Sequence, residues 1–599
     1  MPSGDWLRVM WARARDGVSA WLSPWPVGLA HVLIVIALAA VAWVAVIEGV
    51  ALRRGMWDAT ESIRFCGDID RGYRYGRRAM EEGFVDLYSR VYAETTARGR
   101  ANELNYAPMR LAVMTCYARQ VRAAFPEATQ WQRYPYEFTR PVLRVNMAME
   151  LASAAGVFVL VVIWMRRAAR GGMSGAGGTR WTWVRDLSPF AGWFTATVAA
   201  GLVWFNPASW INAHGWPLWD IWVVPFFLWA LVAASLNGWL LSGVILGVGA
   251  MFKGQQMLVA PLFLMLPLFM GRPGAAGRWI GGYVLGLALV VWPWMLTVRF
   301  EPVVAEGAER ATVRDAAGPF WNWRAIAWVA GVAMVSGVAV ATSWALGWRV
   351  RRAMPGLAAA ATGAAVFACV PLFDADLGWL RVGLLRGTET FSTMYVANAY
   401  NVPALLDHMF GFHPRRDLDR ELFPVVGHMV TLKQLMAAIY FVLLVLCAAA
   451  GARHWRRGDP RVLVALTAPW LLMFTVMTQM HERYLLFFAA MSAVLIAVRW
   501  PYVLMTALLS LLSLCMTADT MLGASRNHLR RWPMDASLLD GRWIHEMSEA
   551  VRSIFPGAAW AVVACCLVVL VDALGVGRLR KAGPAPPPPV PPAKARDAW

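Results

Sequence analysis

A chain of 599 residues that is 59% hydrophobic and 16% charged is too apolar for a soluble protein, in which about a quarter of residues carry charge. The formal charge of +19 and the 34 tryptophans fit arginine-rich cytoplasmic loops and interfacial aromatic belts and argue against a nucleic-acid partner. The seven cysteines form no CxxC and no Cys/His spacing suited to zinc.

Residues 1–26 form a cytoplasmic segment carrying Arg8, Arg13 and Arg15. About twenty apolar residues cross a bilayer, and the first such run, 27–50, has no small-residue cleavage site after it, so it reads as a signal anchor. A large loop, 51–146, follows. Its run YRYGRRAMEEGFVDLYSRVY places apolar residues at helical spacing and predicts helices lying along the interface. Spans 147–165, 187–205 and 219–236 come next. Two short ones, 238–252 and 256–270, suit tilted or broken helices, and Gly243, Gly247 and Gly249 predict close helix packing. Spans 279–298, 325–347 and 356–373 lead to a second large loop, 374–430. Spans 431–450, 461–479, 484–498, 501–520 and 556–575 complete a set of about fourteen, with the basic run RNHLRRW between the last two. The membrane domain is therefore 27–577, and 578–599 is a Pro-rich, disordered cytoplasmic tail.

Basic residues orient the set. Arg166, Arg167 and Arg170 follow the second span, Arg272 and Arg278 the sixth, and Arg349, Arg351 and Arg352 the eighth. Arg453, Arg456, Arg457 and Arg461 follow the tenth, and Arg578, Arg580 and Lys581 the last. All are even-numbered exits, so both termini are expected in the cytoplasm. Cys66 and Cys116 share the first outer loop, where a disulfide and two free thiols are both open.

Five polar clusters then fall on the non-cytoplasmic face. In GDID (67–70), Asp68 and Asp70 suit a general base with a second carboxylate beside it. The same residues suit a helix cap or, with Asp374 and Asp376, ligands for Mg²⁺ or Mn²⁺. In HGWPLWD (214–220), Asp220 opens a span, where a carboxylate favours the helix N-terminus, and His214 is a substrate ligand or an ordinary loop histidine. In KGQQ (253–256), Lys253 with Gln255 and Gln256 suits a phosphate oxygen or a lysine snorkelling to the headgroups. NAYN (398–401) offers the amides of Asn398 and Asn401. In HERY (481–484), His481 and Arg483 suit an anionic headgroup, with Glu482 orienting one of them, or the Arg–Glu pair braces a loop.

Together these motifs resemble the GT-C superfamily of membrane glycosyltransferases, which use polyprenyl-phosphate sugars. GDID is similar to that family's first-loop acidic motif. G-F-V-D-L-Y (83–88) and N-Y-A-P (105–108) resemble its Gly…Tyr…Tyr-x-Pro run, and NP…HGWPLWD with MFKGQQMLVAP (251–261) its middle section. MHERYLL (480–486) is similar to the His-Glu-Lys motif of the endoplasmic-reticulum glucosyltransferases that act on dolichol-linked oligosaccharide, with Arg483 where those have Lys and Asp70 where they have Glu. The section at 214–220 lacks their Gln-Tyr-Asn. The resemblance spans roughly 60–490. It implies an all-α, integral-membrane, GT-C-like fold of about fourteen transmembrane helices, in the inner cell membrane with the site on the periplasmic side. It also implies an inverting hexosyl transfer with no metal and no cofactor. Asp68 would be the base, and Asp70 would orient the acceptor or tune Asp68. Lys253, His481 and Arg483 would hold the phosphate of a lipid-linked sugar donor. The acceptor would be a glycan, lipid or protein. Two rivals remain at this stage. A transporter or flippase of lipid-linked sugars would place ionisable groups near mid-membrane, whereas Glu48, Glu150, Lys433 and Asp519 fall toward span ends. A polysaccharide polymerase or ligase would share an outer-face site.

Overall fold

In lipid, backbone polar groups must bond within their own segment, so apolar runs fold as helices. The computed structural model describes residues 27–60, 67–98, 104, 106–127, 136–170, 189–297, 303–304, 313–314, 321–346, 349–385, 396–397, 399–411, 421–425, 428–531, 546, 549–550 and 552–576. Its main helices are α1 (Val27–Ala59), α2 (Gly67–Glu82), α3 (Leu87–Arg98), α4 (Pro108–Ala124), α5 (Tyr136–Arg170) and α6 (Pro189–Trp204). After them come α7 (Val223–Ser235), α8 (Trp239–Ala250), α9 (Gln255–Phe269), α10 (Pro273–Met295), α11 (Trp323–Ala345) and α12 (Met354–Phe373). The last are α13 (Val402–Phe410), α14 (Leu432–Arg456), α15 (Arg461–Val476), α16 (Leu485–Met491), α17 (Tyr502–Arg531) and α18 (Phe555–Leu574). Among the described residues, strand is confined to three two-stranded ribbons.

Eight helices, α1, α5, α10, α11, α12, α14, α17 and α18, are long and apolar enough to cross a membrane. The predicted spans at 219–236, 238–252, 256–270 and 461–479 are shorter apolar helices. The predicted span 484–498 is broken, because α16 passes into a 3₁₀ segment at Ser492–Ala497. Two loop boundaries also move. α1 runs nine residues past 50, and α5 begins at Tyr136 rather than 147. A hydropathy count stops at the first charges, but the helix continues where those charges find partners. Arg54 pairs with Asp58 one turn on, at 3.1 Å, and Arg53 reaches Glu150 on α5 at 2.7 Å.

The first loop is helical, as its apolar spacing predicted, and its helices lie against the bundle. Arg78 ties α2 to α3 by bonding both Glu82 and Glu94. Tyr73 packs edge-on against Phe138, and Tyr117 against Trp219. A Cβ on Gly72 of α2 would lie 3.1 Å from the Trp219 ring, so the helix that begins with GDID abuts HGWPLWD directly.

Glycines set the closest helix contacts, as small residues do inside membranes. A Cβ on Gly243 of α8 would meet the Trp279 carbonyl at 2.2 Å, and one on Gly282 of α10 would meet the Leu240 carbonyl at 2.0 Å. Gly247 behaves alike, whereas Gly249 makes room for the side chain of Gln256. At one end of the bundle, Arg167 donates to the Ser235 carbonyl, Arg456 to Phe269 and Arg453 to Leu574. These arginines cap carbonyls at the ends of α7, α9 and α18. HGWPLWD, KGQQ and HERY adjoin the opposite ends of α7, α9 and α15.

Candidate functional site

The segment between α6 and α7 is irregular and heavily anchored. Asn206 caps a single helical turn, Pro207–Trp210, accepting from Ala208 N–H at 3.0 Å, and a π turn follows at Ile211–Gly215. Asn146 of α5 donates to the carbonyls of Ala213 at 2.7 Å and Leu218 at 3.0 Å, while Trp222 Nε1 donates to Asn146 Oδ1. One turn along the same helix, Glu150 Oε2 holds Arg53 Nε at 2.7 Å and His214 Nε2 at 3.0 Å. His214 is therefore part of a buried structural network with Arg53 and Glu150.

These anchors fix Asp220, at the start of the 3₁₀ turn Asp220–Trp222. Asp220 is 1% exposed. It accepts from Lys253 Nζ on one oxygen, and Arg483 Nε lies 2.8 Å from the other. Lys253 sits in the turn between α8 and α9, with its ammonium 4.5 Å above the Tyr484 ring. Burial pushes the Lys253 ammonium down to about 8, against the opposing pull of Asp220. Arg483 also faces Glu482, whose other oxygen lies 3.6 Å from His481 Nδ1. Its guanidinium is 5.6 Å from the Trp216 ring. Breaking a buried pair of this kind, by removing one partner, costs about 3–5 kcal/mol.

A third cation enters that the sequence reading did not single out. Arg110 stands in the first turn of α4, and Met109 N–H bonds the Met251 carbonyl at 3.1 Å, two residues before Lys253. Arg110 is 6% exposed, and its charge acts on Asp220, Lys253 and Tyr484. Its Nε is buried without a hydrogen bond, and among the described residues its guanidinium has no carboxylate partner. Its support is the Tyr106 ring, 3.9 Å below. Such a contact is worth up to about 2 kcal/mol, less than the several kcal/mol that desolvating an unpaired ion costs. Three cations, Arg110, Lys253 and Arg483, thus share this region with two carboxylates, Asp220 and Glu482. The available sequence cue was position: Arg110 stands two residues after the Tyr-x-Pro run.

The remaining candidates divide. Val396–Ala397 runs parallel to Met480–His481, bringing the NAYN loop beside HERY. Asn401, however, is a structural residue. It caps α13 by accepting from Ala404 N–H at 3.1 Å and donates to the Phe474 carbonyl at 3.1 Å, fully buried. Gln256 is likewise committed, donating to the Val223 carbonyl at 3.0 Å, while Gln255 starts α9 half-buried. Asn398 lies outside the described residues. Asp68 falls in the first turn of α2, and its side chain lies outside the described part. Asp70, 37% exposed, faces Arg74 at 3.9 Å. Asp376 accepts from Ser89 Oγ at 2.8 Å and from Gly378 N–H at 2.7 Å, joining the two large loops. Among the described residues, no three His, Cys, Asp or Glu side chains are grouped as metal ligands.

No protein-family model matches the chain, and no curated protein matches it.

Proposed function

We propose that the chain is a membrane glycosyltransferase that moves a hexose, with inversion, from a polyprenyl-phosphate donor to an acceptor hydroxyl on the non-cytoplasmic face. One observation carries this reading: Asp220, Lys253 and Arg483, from three remote segments, meet in a nearly buried cluster where cations outnumber carboxylates. A phosphate leaving group is a weak base, so it needs preorganised positive charge rather than a proton. In this reading the cluster faces the leaving phosphate. Asp68, on the helix that abuts Trp219, removes the acceptor proton, and Asp70 orients the acceptor. All fourteen apolar segments cross the membrane, the short ones beside the site, with both termini in the cytoplasm. The direct test is lipid and glycan analysis of cells lacking the protein. An acceptor short of one hexose is expected to accumulate, and an unchanged profile would overturn the proposal.

Two further outcomes follow from the same reading. Cys116 is exposed on α4, so in a Cys66→Ser background a membrane-impermeant thiol reagent is expected to modify it from the non-cytoplasmic side of sealed cells. Modification only after permeabilisation would reverse the topology and remove the site from that face. Sugar transfer is also expected to survive EDTA, since lysine and arginine can neutralise a monophosphate without a divalent ion. Loss in chelator with recovery on adding Mg²⁺ or Mn²⁺ would recast Asp68 and Asp70 as metal ligands.

A further inference from the structure

The cations in this cluster are not equivalent. Lys253 and Arg483 converge on Asp220, and Arg483 also faces Glu482, which sits beside His481. Each of the three basic residues read from the sequence as phosphate ligands therefore has an acidic neighbour. Arg110 forms no ion pair among the described residues, although its charge acts on Asp220 from farther off. It is nearly buried, its Nε is unpartnered, and its guanidinium carbon lies 3.9 Å from the centre of the Tyr106 ring. Tyr106 is fixed in turn: Tyr88 donates to its carbonyl at 2.7 Å, and Gly383 packs so closely that a Cβ would lie 2.7 Å from that oxygen. The Met109–Met251 backbone bond clasps this platform to the turn that carries Lys253. A guanidinium desolvated and positioned without an acceptor is prepared for an anion supplied from outside the chain.

We infer that Arg110 is the principal oxyanion ligand of this site, taking the phosphate of a phosphomonoester or phosphodiester, while Asp220 holds Lys253 and Arg483 beside it as supporting charge. The inference rests on the proposed reading of the cluster as the donor's phosphate end, but it concerns binding and needs no sugar transfer to be observed. It also has a consequence that a structural arginine would lack. Removing a buried charge that has no ion pair should not weaken the empty protein, because its desolvation cost exceeds the gain from the Tyr106 contact.

The experiment titrates undecaprenyl phosphate, undecaprenol and inorganic phosphate separately into the full-length protein in nanodiscs, with wild type, Arg110→Met, Arg110→Lys and Lys253→Met compared. Undecaprenyl phosphate is expected to bind wild type. Arg110→Met should weaken it about ten- to a hundredfold, the range for one hydrogen bond to a charged group. Arg110→Lys should recover part of the loss, and the weak binding of undecaprenol should not change. Competition by millimolar inorganic phosphate would identify free phosphate as a sufficient ligand. Its absence would assign the site to the lipid-linked form, and either result supports an oxyanion at Arg110. The ligand-free Arg110→Met protein is expected to melt no lower than wild type. A lower melting temperature with unchanged affinity for undecaprenyl phosphate would make Arg110 a packing residue and overturn the inference. So would a loss of affinity confined to Lys253→Met. Failure of the transferase reading would look different, with phosphate binding and its dependence on Arg110 intact but no hexose transferred.

Discussion

Asp68→Asn is expected to cut hexose transfer by on the order of 10²–10⁴-fold, the usual contribution of a positioned general base. The amide is nearly isosteric and keeps a hydrogen-bonding side chain in the first turn of α2, so expression and melting temperature should stay close to wild type. Asp70→Asn is the internal control. Asp70 is 37% exposed and faces Arg74 one turn on, at 3.9 Å, and an exposed pair of that spacing contributes only about 0.2–0.5 kcal/mol. Its loss of rate should therefore be the smaller. Turnover measured with a purified hexosyl-phosphopolyprenol donor decides the matter. Near-normal activity in a well-folded Asp68→Asn protein would remove the base from this position.

The second large effect is on stability. Asp220→Ala leaves Lys253 and Arg483 facing each other with the carboxylate between them gone, and both are largely buried. Removing one partner from such a cluster is expected to destabilise the protein by about 3–5 kcal/mol. The double variant Asp220→Ala with Lys253→Met should regain a large part of this, because the second substitution removes the stranded charge and retains an apolar stem over the Tyr484 ring. That non-additivity, read from unfolding in detergent, is the signature of direct coupling. Additive losses, or a loss below about 1 kcal/mol, the level of exposed pairs, would show that Asp220 is not the hub of the cluster.

Much of the architecture was legible in the sequence because its signals are local. Length and hydropathy of a run are enough to make a helix where the backbone must bond to itself. The apolar segments reappear as helices, eight of them long enough to cross a membrane. The same reading put HGWPLWD, KGQQ and HERY at one end of their apolar segments, where Asp220, Lys253 and Arg483 meet, and the arginines at the other, where they meet the carbonyls of Ser235, Phe269 and Leu574. Helix ends were less legible. α1 continues through Arg53 because Glu150, 97 residues away, receives its guanidinium, and no window of sequence contains that pairing.

The division of labour within the clusters was decided by tertiary structure alone. Lys253 and Arg483 read as phosphate ligands, yet both converge on Asp220, whose own position depends on Asn146 gripping the carbonyls of Ala213 and Leu218. Gln256 and Asn401 offered amides to a substrate, yet they bond the carbonyls of Val223 and Phe474. Arg110 was not singled out in the sequence, and packing made it the cation of the cluster with no ion pair among the described residues. The physical reason is common to all of these. Composition sets how much charge a chain carries and on which side of an apolar segment it falls, but in a medium of low dielectric the energy of each charge depends on its nearest few neighbours. Here those neighbours come from segments far apart in the chain.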